Sequence, residues 1–170
     1  YGGKGGDGGT PGGGSGSAGG MPYGSVSSPA LPGSGGGSYL LTPGNRGAAG
    51  GGAIHVEAWG ALTVNGTISA NGSNAFPSAS WAAGAGAGGA VWLQCGTFGG
   101  TTSGLIQVKG GDELAVSGIT RGGGGGGGRI AVSYAALAAQ HDTRFVASGG
   151  TNGAWPNDWN RDWFFAPQPG

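Results

Sequence analysis

The sequence predicts an all-β protein that is built as a parallel β-solenoid, a β-helix-like stack of repeats. Three observations predict this fold. Glycine supplies 47 of the 170 residues, short apolar segments follow the glycine clusters, and these segments recur at a nearly constant spacing. Alternating apolar residues are typical of a half-buried strand. A sequence period of about 20 to 50 residues is typical of stacked repeat architectures.

The first strand of each predicted repeat carries aliphatic residues at its second and fourth positions. The three candidates are 53–58, 90–95 and 129–134, with the aliphatic pairs Ile54 and Val56, Val91 and Leu93, and Ile130 and Val132. The intervals from Ile54 to Val91 and from Val91 to Ile130 are nearly equal. Cys95 falls at an inward position of this strand, which predicts a buried and unreactive thiol.

A second strand follows each first strand after a short link. The candidates are 66–72, 104–110 and 144–149, with the inward pairs Ile68 and Ala70, Ile106 and Val108, and Val146 and Ser148. The intervals from Ile68 to Ile106 and from Ile106 to Val146 match those of the first strand closely. A two-strand unit cannot bury its apolar face alone, so the units are expected to stack at about 4.8 Å with their strands in parallel.

These repeats divide the chain into three parts. Residues 1–37 are expected to be the glycine-rich excursion of a truncated repeat, and 154–170 an aromatic tail. Between them, 38–153 is the expected repeat domain, with three repeats of about 37–40 residues, a period typical of stacked units. Further excursions are expected at 73–89 and 112–128. A weaker strand is predicted at 38–41, before a turn at 42–45.

The glycine-rich tracts allow two interpretations. In the first, they are exposed loops in which glycine supplies positive φ and tolerates insertions. In the second, runs such as 2–9 form packed helices of the polyglycine-II type, which resemble polyproline II, because glycine lets backbones approach closely. The run of seven glycines at 122–128 suits close packing and disorder equally.

The charge balance excludes several partners. Seven basic and seven acidic residues give a formal net charge of zero, so neither nucleic acid nor an anionic membrane surface is an expected partner. No apolar run approaches the roughly 20 residues of a membrane span, and no signal peptide is recognisable at Tyr1. A net charge near zero favours association, so copies of the same chain are the expected partners. The single cysteine excludes an intrachain disulfide.

The order of these segments resembles a known class of repeats. A glycine cluster, then A-I-H-V-E-A, then G-T-I-S-A-N-G, then a glycine run that ends in G-R-I-A-V is similar to the glycine-rich repeats of large secreted or surface proteins of bacteria. Those repeats are predicted to be adhesin-like β-solenoids. The resemblance covers roughly 35–153 and implies an extracellular or cell-surface location without fixed catalytic residues. In composition only, the tracts also resemble glycine-rich tips of phage adhesins and glycine-rich domains of some animal receptors.

An enzyme needs titratable groups that converge, and this chain offers few. His55 and Glu57 are predicted on the outward face of the first strand, with Trp92 and Gln94 at the equivalent positions of the next repeat. This surface is either an ordinary solvated strand face or a sugar-binding face. No matching second carboxylate completes the acid pair of a glycosidase. We therefore expect no catalytic residue and no cofactor.

The sequence also contains few patterns that are typical of metal binding, and we predict no metal site. Residues 2–7 fit the first half of a calcium-binding nonapeptide, but Gly9 stands where a large apolar residue belongs. Asp112 and Glu113 form a second weak calcium candidate. His141 is isolated from other ligands apart from the neighbouring Asp142.

Two sets of residues are candidate contact or modification sites. Asn65 and Asn71 begin N-x-S/T sequons, which predict either N-glycosylation or tight turns. The tail supplies large rigid aromatic side chains, which either cap the open end of the stack or dock onto another subunit or a glycan. These tail residues are Trp155, Trp159, Trp163, Phe164 and Phe165.

The leading functional hypothesis is a non-enzymatic extracellular structural protein, a self-assembling filament or surface-layer component. The alternative is a glycan-binding or host-binding adhesin module, to which Trp81, Trp92 and the tail aromatics would contribute. Ice binding is a third hypothesis, disfavoured because Thr63, Thr67, Thr101 and Thr102 are too irregularly placed to form an array.

Overall fold

The computed structural model describes residues 3–9, 16–38, 46–76, 82–113 and 122–151. In these ranges the regular secondary structure is entirely β-strand. The strands are β1 Ala53–Val64, β2 Thr67–Ser69, β3 Ala90–Gly100, β4 Leu105–Gln107, β5 Arg129–His141 and β6 Arg144–Val146. Ser38 lies in no strand. The rest of the predicted weak strand, the turn at 42–45 and the tail at 154–170 lie outside the described residues.

Equivalent strands of successive strand pairs lie parallel and form two three-stranded sheets. The long strands have the order β1-β3-β5 and the short strands the order β2-β4-β6. Ile54 pairs with Val91, and Val91 pairs with Ile130, so the partners predicted from the spacing are confirmed for the long strands. The long strands continue well beyond the segments predicted for them.

The predicted register of the last short strand is wrong by one residue. Phe145, not Val146, pairs with Ile106, so the predicted interval was one position too long. A slip of one residue moves a side chain to the opposite face of a sheet. Phe145 therefore takes the inward position that was predicted for Val146, and its ring lies 6.2 Å from the ring of Phe98.

The apolar core lies between the two sheets and is deepest at their central strands. Its largest fully buried side chains are Leu93, Ile106, Val91 and Val108. Burying a side chain of this size stabilises a fold by about 1.5–3 kcal/mol. The equivalent residues of the outer strands, including Ile54, Val56 and Val132, are only partly buried, because no further strand in the described part of the chain covers them.

The glycine-rich tract 82–89 is buried along its whole length. Its N–H groups donate to three neighbouring segments in turn. Gly84 and Ala87 donate to the carbonyl groups of Gly37 and Ser34. Ala85 and Gly88 donate to the carbonyl groups of Gly123 and Gly126. Gly86 and Gly89 donate to the carbonyl groups of Ser73 and Ala70. The direction of donation thus repeats at every third position, which is the period of a polyproline-II helix.

The carbonyl groups of the same tract accept hydrogen bonds from three other segments. The carbonyl groups of Ala82 and Ala85 accept from the N–H groups of Gly9 and Gly6. Those of Gly84 and Ala87 accept from the N–H groups of Ala48 and Gly51, and that of Gly86 accepts from the N–H group of Gly111. Six segments therefore surround this tract. Among the described residues only Gly24 has a positive φ, of 93°. The interpretation of the tracts as exposed loops is wrong for the hydrogen-bonded tracts such as 82–89 and 122–128, which are buried or partly buried and have no positive φ. It agrees with the segment 21–32, which is mostly exposed and includes Gly24.

The tracts are arranged in three rows. The middle row consists of 46–52, 82–89 and 122–128, which lead into β1, β3 and β5. A second row of 70–75, 108–113 and 147–151 follows β2, β4 and β6. The N-terminal segments 3–9 and 33–38 supply the third row, and 16–20 bonds to both of them.

Close backbone approach explains why glycine is required inside these rows. A Cβ atom on Gly84 would overlap the carbonyl oxygen of Gly6, and one on Gly36 would overlap the carbonyl oxygen of Gly84. Backbone atoms that are themselves hydrogen-bonded cannot move aside cheaply. Alanine occurs only where the methyl group fits, as at Ala85 and Ala87, which are fully buried.

Candidate functional site

The two sheets end in strands that have one neighbour each. We call the exposed edges of β1 and β2 the leading end and the exposed edges of β5 and β6 the trailing end. β1 has 12 residues and β5 has 13, so each end presents a long row of backbone N–H and C=O groups that have no sheet partner among the described residues. Such edges are templates for pairing with another strand.

Half-exposed apolar side chains line the trailing end. Tyr134, Leu137 and Phe145 are 47%, 45% and 50% exposed. The ring of Tyr134 lies 6.3 Å from that of Phe98, which belongs to the core. The core is therefore open at this end, in the direction in which the strands stack.

A β-bulge interrupts β1 on the outward face of the long-strand sheet. Ala58 pairs with Cys95 and Ala61 pairs with Thr97, so two residues, Trp59 and Gly60, lie opposite the single residue 96. Bulges bend a strand and redirect a side chain. Trp59 is 94% exposed, more than any other large apolar side chain in the described part of the chain.

Polar and aromatic side chains flank Trp59 on this face. The rings of His55 and Trp92 stack with their centroids 4.1 Å apart and their planes 11° from parallel. His55 Nε2 lies 3.0 Å from Gln94 Oε1. Because an amide oxygen only accepts hydrogen bonds, this contact requires the hydrogen on His55 Nε2. Together with Trp59 and Gly96, Glu57 and Gln94 line a shallow groove.

The predicted outward placement of His55, Glu57, Trp92 and Gln94 agrees with the strand pairing, in which His55 faces Trp92 and Glu57 faces Gln94. Trp59, however, was not singled out from the sequence. An alignment of the first two repeats beyond their sixth position would have found it. The segment W-G-A-L-T-V has one residue more than G-T-F-G-G, and this extra residue produces the bulge.

The side chains of Asn65 and Asn71 connect neighbouring strand pairs. Asn65 Oδ1 accepts from the Thr101 N–H at 3.1 Å, and Asn71 Oδ1 accepts from the Lys109 N–H at 2.8 Å. Asn74 makes the equivalent bond to the N–H of Asp112. A glycan would attach to Nδ2 rather than to Oδ1, so glycosylation at both sequons stays a prediction beside this structural role.

We expect Asn71→Ala to lower the free energy of unfolding by about 1 kcal/mol, because the Lys109 N–H loses its side-chain acceptor. Asn71→Asp keeps an acceptor oxygen and is expected to recover most of this loss. Urea unfolding of the unglycosylated protein measures both. Equal stability of the alanine and aspartate variants would contradict the role of the side chain between repeats.

The two calcium candidates make structural contacts. Asp7 forms an ion pair with Lys4 at 2.7 Å, and its other contact is the Gly19 N–H. Burial acts to raise the pKa of Asp7, but the hydrogen bonds from Lys4 and Gly19 outweigh it and lower that pKa. Asp112 Oδ1 accepts from the Thr151 backbone N–H and hydroxyl, and these bonds, the backbone one foremost, lower its pKa.

These shifts predict a loss of stability in acid. A carboxyl group whose pKa is lower in the folded state stabilises the fold above its unfolded pKa of about 4, and the contribution disappears as the pH falls through the folded pKa. We expect wild-type stability to be level near neutral pH and to decline below about pH 4. Asp112→Asn should make this decline shallower, as measured by urea unfolding at pH 6 and pH 3. An unchanged decline would contradict the contribution of Asp112.

The remaining candidate residues are placed as follows. Cys95 pairs with Ala58 and Tyr134, as predicted, but it is only partly buried. Burial raises the pKa of its thiol, which keeps the less nucleophilic protonated form at neutral pH. His141 Nδ1 donates a local hydrogen bond of 2.8 Å to the Ala138 carbonyl oxygen. Trp81 and the tail residues Trp155, Trp159, Trp163, Phe164 and Phe165 lie outside the described residues.

The described part of the chain lacks two kinds of functional feature. It holds no group of three or more His, Cys, Asp or Glu side chains that are placed to bind a metal ion. It also holds no helix with the length and apolar character needed to cross a membrane. In the comparisons with known proteins, no family model, no curated protein and no solved structure matches this chain.

Proposed function

We propose that this chain is a non-enzymatic structural protein of the cell surface or extracellular space, and that its copies assemble head to tail into a filament or layer. The observation that carries the proposal is the correspondence between the two sheet ends. Both sheets end at unpaired strands, and both ends present the same inward apolar positions in the same register.

The correspondence can be followed residue by residue. Leu62 pairs with Phe98, which pairs with Leu137. Ile68 pairs with Ile106, which pairs with Phe145. If the trailing end of one copy pairs with the leading end of the next, Leu137 and Phe145 meet Leu62 and Ile68 in the geometry that already joins the repeats within one chain. A head-to-tail contact leaves one unused end on each side, so it propagates unless the rotation between successive copies closes a ring.

The stacking of repeats supports the finer description of the fold as a parallel β-solenoid. Both strands of each repeat pair with their counterparts in the next repeat along the chain. The tracts of the middle row also run parallel to one another, because Ala48 and Gly51 donate to residues 84 and 87 in the same order. A bundle of polyglycine-II helices beside the sheets would make each repeat stiff, as a structural element requires.

Low charge supports the same proposal. Charged residues are 8% of the chain, so there is little electrostatic repulsion to oppose association. Extracellular location rests on the resemblance to secreted glycine-rich repeats and is part of the proposal.

Negative-stain electron microscopy and sedimentation velocity of the purified chain test the assembly. We expect filaments or a ladder of oligomers whose mass rises with protein concentration. A single monomeric species at all concentrations and salt conditions would refute the proposed self-assembly.

A further inference from the structure

A second surface, separate from the sheet ends, has the features of a carbohydrate-binding site. It lies on the outward face of β1 and β3 and is formed by Trp59, Glu57 and Gln94. Side chains on this face point away from the core, whereas the contact proposed for assembly uses the edges of the strands and the inward positions. The two surfaces can therefore be tested independently.

The bulge presents the indole of Trp59 to solvent. Its 94% exposure means that neither the core nor the rest of the described chain benefits from the apolar area of the ring. A tryptophan is a large and rigid contact surface whose immobilisation costs little entropy, which is why it is frequent at binding sites. The flat apolar face of a pyranose ring is a partner that an exposed indole can stack against.

A hydrogen-bond acceptor and a hydrogen-bond donor lie beside the indole. Glu57 supplies carboxylate acceptors, and Gln94, directly opposite in the strand pairing, has an amide that can donate. The contact with His55 Nε2 occupies Gln94 Oε1, which orients the amide and turns its Nε2 donor group to other partners. Neighbouring hydroxyl groups of a sugar both donate and accept, so one ring can bond to both side chains.

The shape and charge of the groove limit the class of ligand that can bind there. Its volume is about 260 Å³ and it is open to solvent, whereas pockets that enclose small molecules are usually about 300–1,000 Å³. A sugar unit would therefore lie on the surface, with room on the open side for neighbouring units of a chain. Among the described residues, Glu57 is the only charged side chain that lines the groove, and it would repel an acidic sugar.

We propose that Trp59, Glu57 and Gln94 form a surface site for a neutral polysaccharide of pyranose units. Trp59 stacks on one sugar ring, while Glu57 accepts from its hydroxyl groups and Gln94 donates to them. The stack of His55 on Trp92 holds the Gln94 amide in place. The site requires no contribution from the tail aromatics.

A glycan array that includes neutral and acidic oligosaccharides tests the ligand class, and calorimetry with the best neutral hexaose then measures affinity. We expect Trp59→Ala to weaken binding at least tenfold, about 1.4 kcal/mol, and Trp59→Tyr to retain most of it. Phe76→Ala is the matched control, because Phe76 is also exposed, at 61%, and does not line the groove. Because Trp59 is exposed, its replacement should leave the thermal unfolding temperature unchanged.

The binding measurement is repeated on the double variant Leu137→Lys/Phe145→Lys, whose trailing end cannot stack. Binding by that variant supports the sugar site whether or not wild-type copies assemble. The proposal is refuted if no neutral glycan binds, if only acidic glycans bind, or if the affinity is the same after Trp59→Ala as before.

Discussion

Replacing Gly86 with alanine is expected to destabilise the protein strongly. Gly86 lies in the buried tract 82–89, where it donates to Ser73 and accepts from Gly111. A Cβ atom there would overlap the carbonyl oxygen of Ala49. Adding a methylene group to a packed core costs about 1–3 kcal/mol, and the upper end applies here because the obstacle is hydrogen-bonded backbone.

The thermal unfolding temperature measures this effect. For a chain of this length, a destabilisation of about 3 kcal/mol corresponds to a decrease of roughly 6–12 °C. Gly52→Ala is the matched control, since a Cβ at Gly52 meets nothing within 4 Å and its φ is not positive. That substitution is expected to be neutral or to stabilise by about 0.4–1 kcal/mol, because alanine reduces the entropy of the unfolded chain. Similar unfolding temperatures for the two variants would contradict the packing of the tracts.

The second large effect is expected at the trailing end. Leu137→Lys together with Phe145→Lys is expected to abolish assembly, because inward-pointing charges on an edge strand prevent another strand from pairing with it. Both side chains are about half exposed, at 45% and 50%, so lysine can keep its ammonium group in water and the fold should survive. Sedimentation velocity should then show a single monomeric species.

The control adds the same charge elsewhere. Met21→Lys together with Val26→Lys replaces apolar side chains that are 71% and 66% exposed and that lie outside both sheets. This variant should assemble as the wild type does. If it also becomes monomeric, net charge rather than edge pairing governs association. If the trailing-end variant still assembles, the proposed contact is wrong.

The pairing of the long strands could be predicted because identical apolar positions recur in each repeat. Ile54, Val91 and Ile130 are the second residues of equivalent strands, and the structure pairs them. The short strands carry less information, and the choice between Val146 and Phe145 could not be made from alternation alone. Phe145 takes the inward position because it reaches the ring of Phe98, a contact between residues distant in sequence.

The candidate functional residues, like the strands, could be predicted only in part from the sequence. His55, Glu57, Trp92 and Gln94 were expected on one outward face because residues two apart in a strand point to the same side. The exposure of Trp59 depends on a bulge, which appears only when two repeats are compared along their full strands. The bonds of Asn65 and Asn71 to the next repeat depend on the stacking itself. Both residues were predicted only as sequons or turn formers.

The sequence by itself determined that the chain is β-rich and low in charge and that its strands recur at similar spacing, because strand period and spacing are local or one-dimensional properties. Only the tertiary structure decided what the glycines do. Glycine is suited both to a loop with positive φ and to a tightly packed backbone. The sequence of a glycine-rich tract does not show which of these two structures it forms. What distinguishes them is whether other backbones lie within reach. At 82–89 six segments do, and their carbonyl and N–H groups leave no room for a side chain at the glycine positions of the tract.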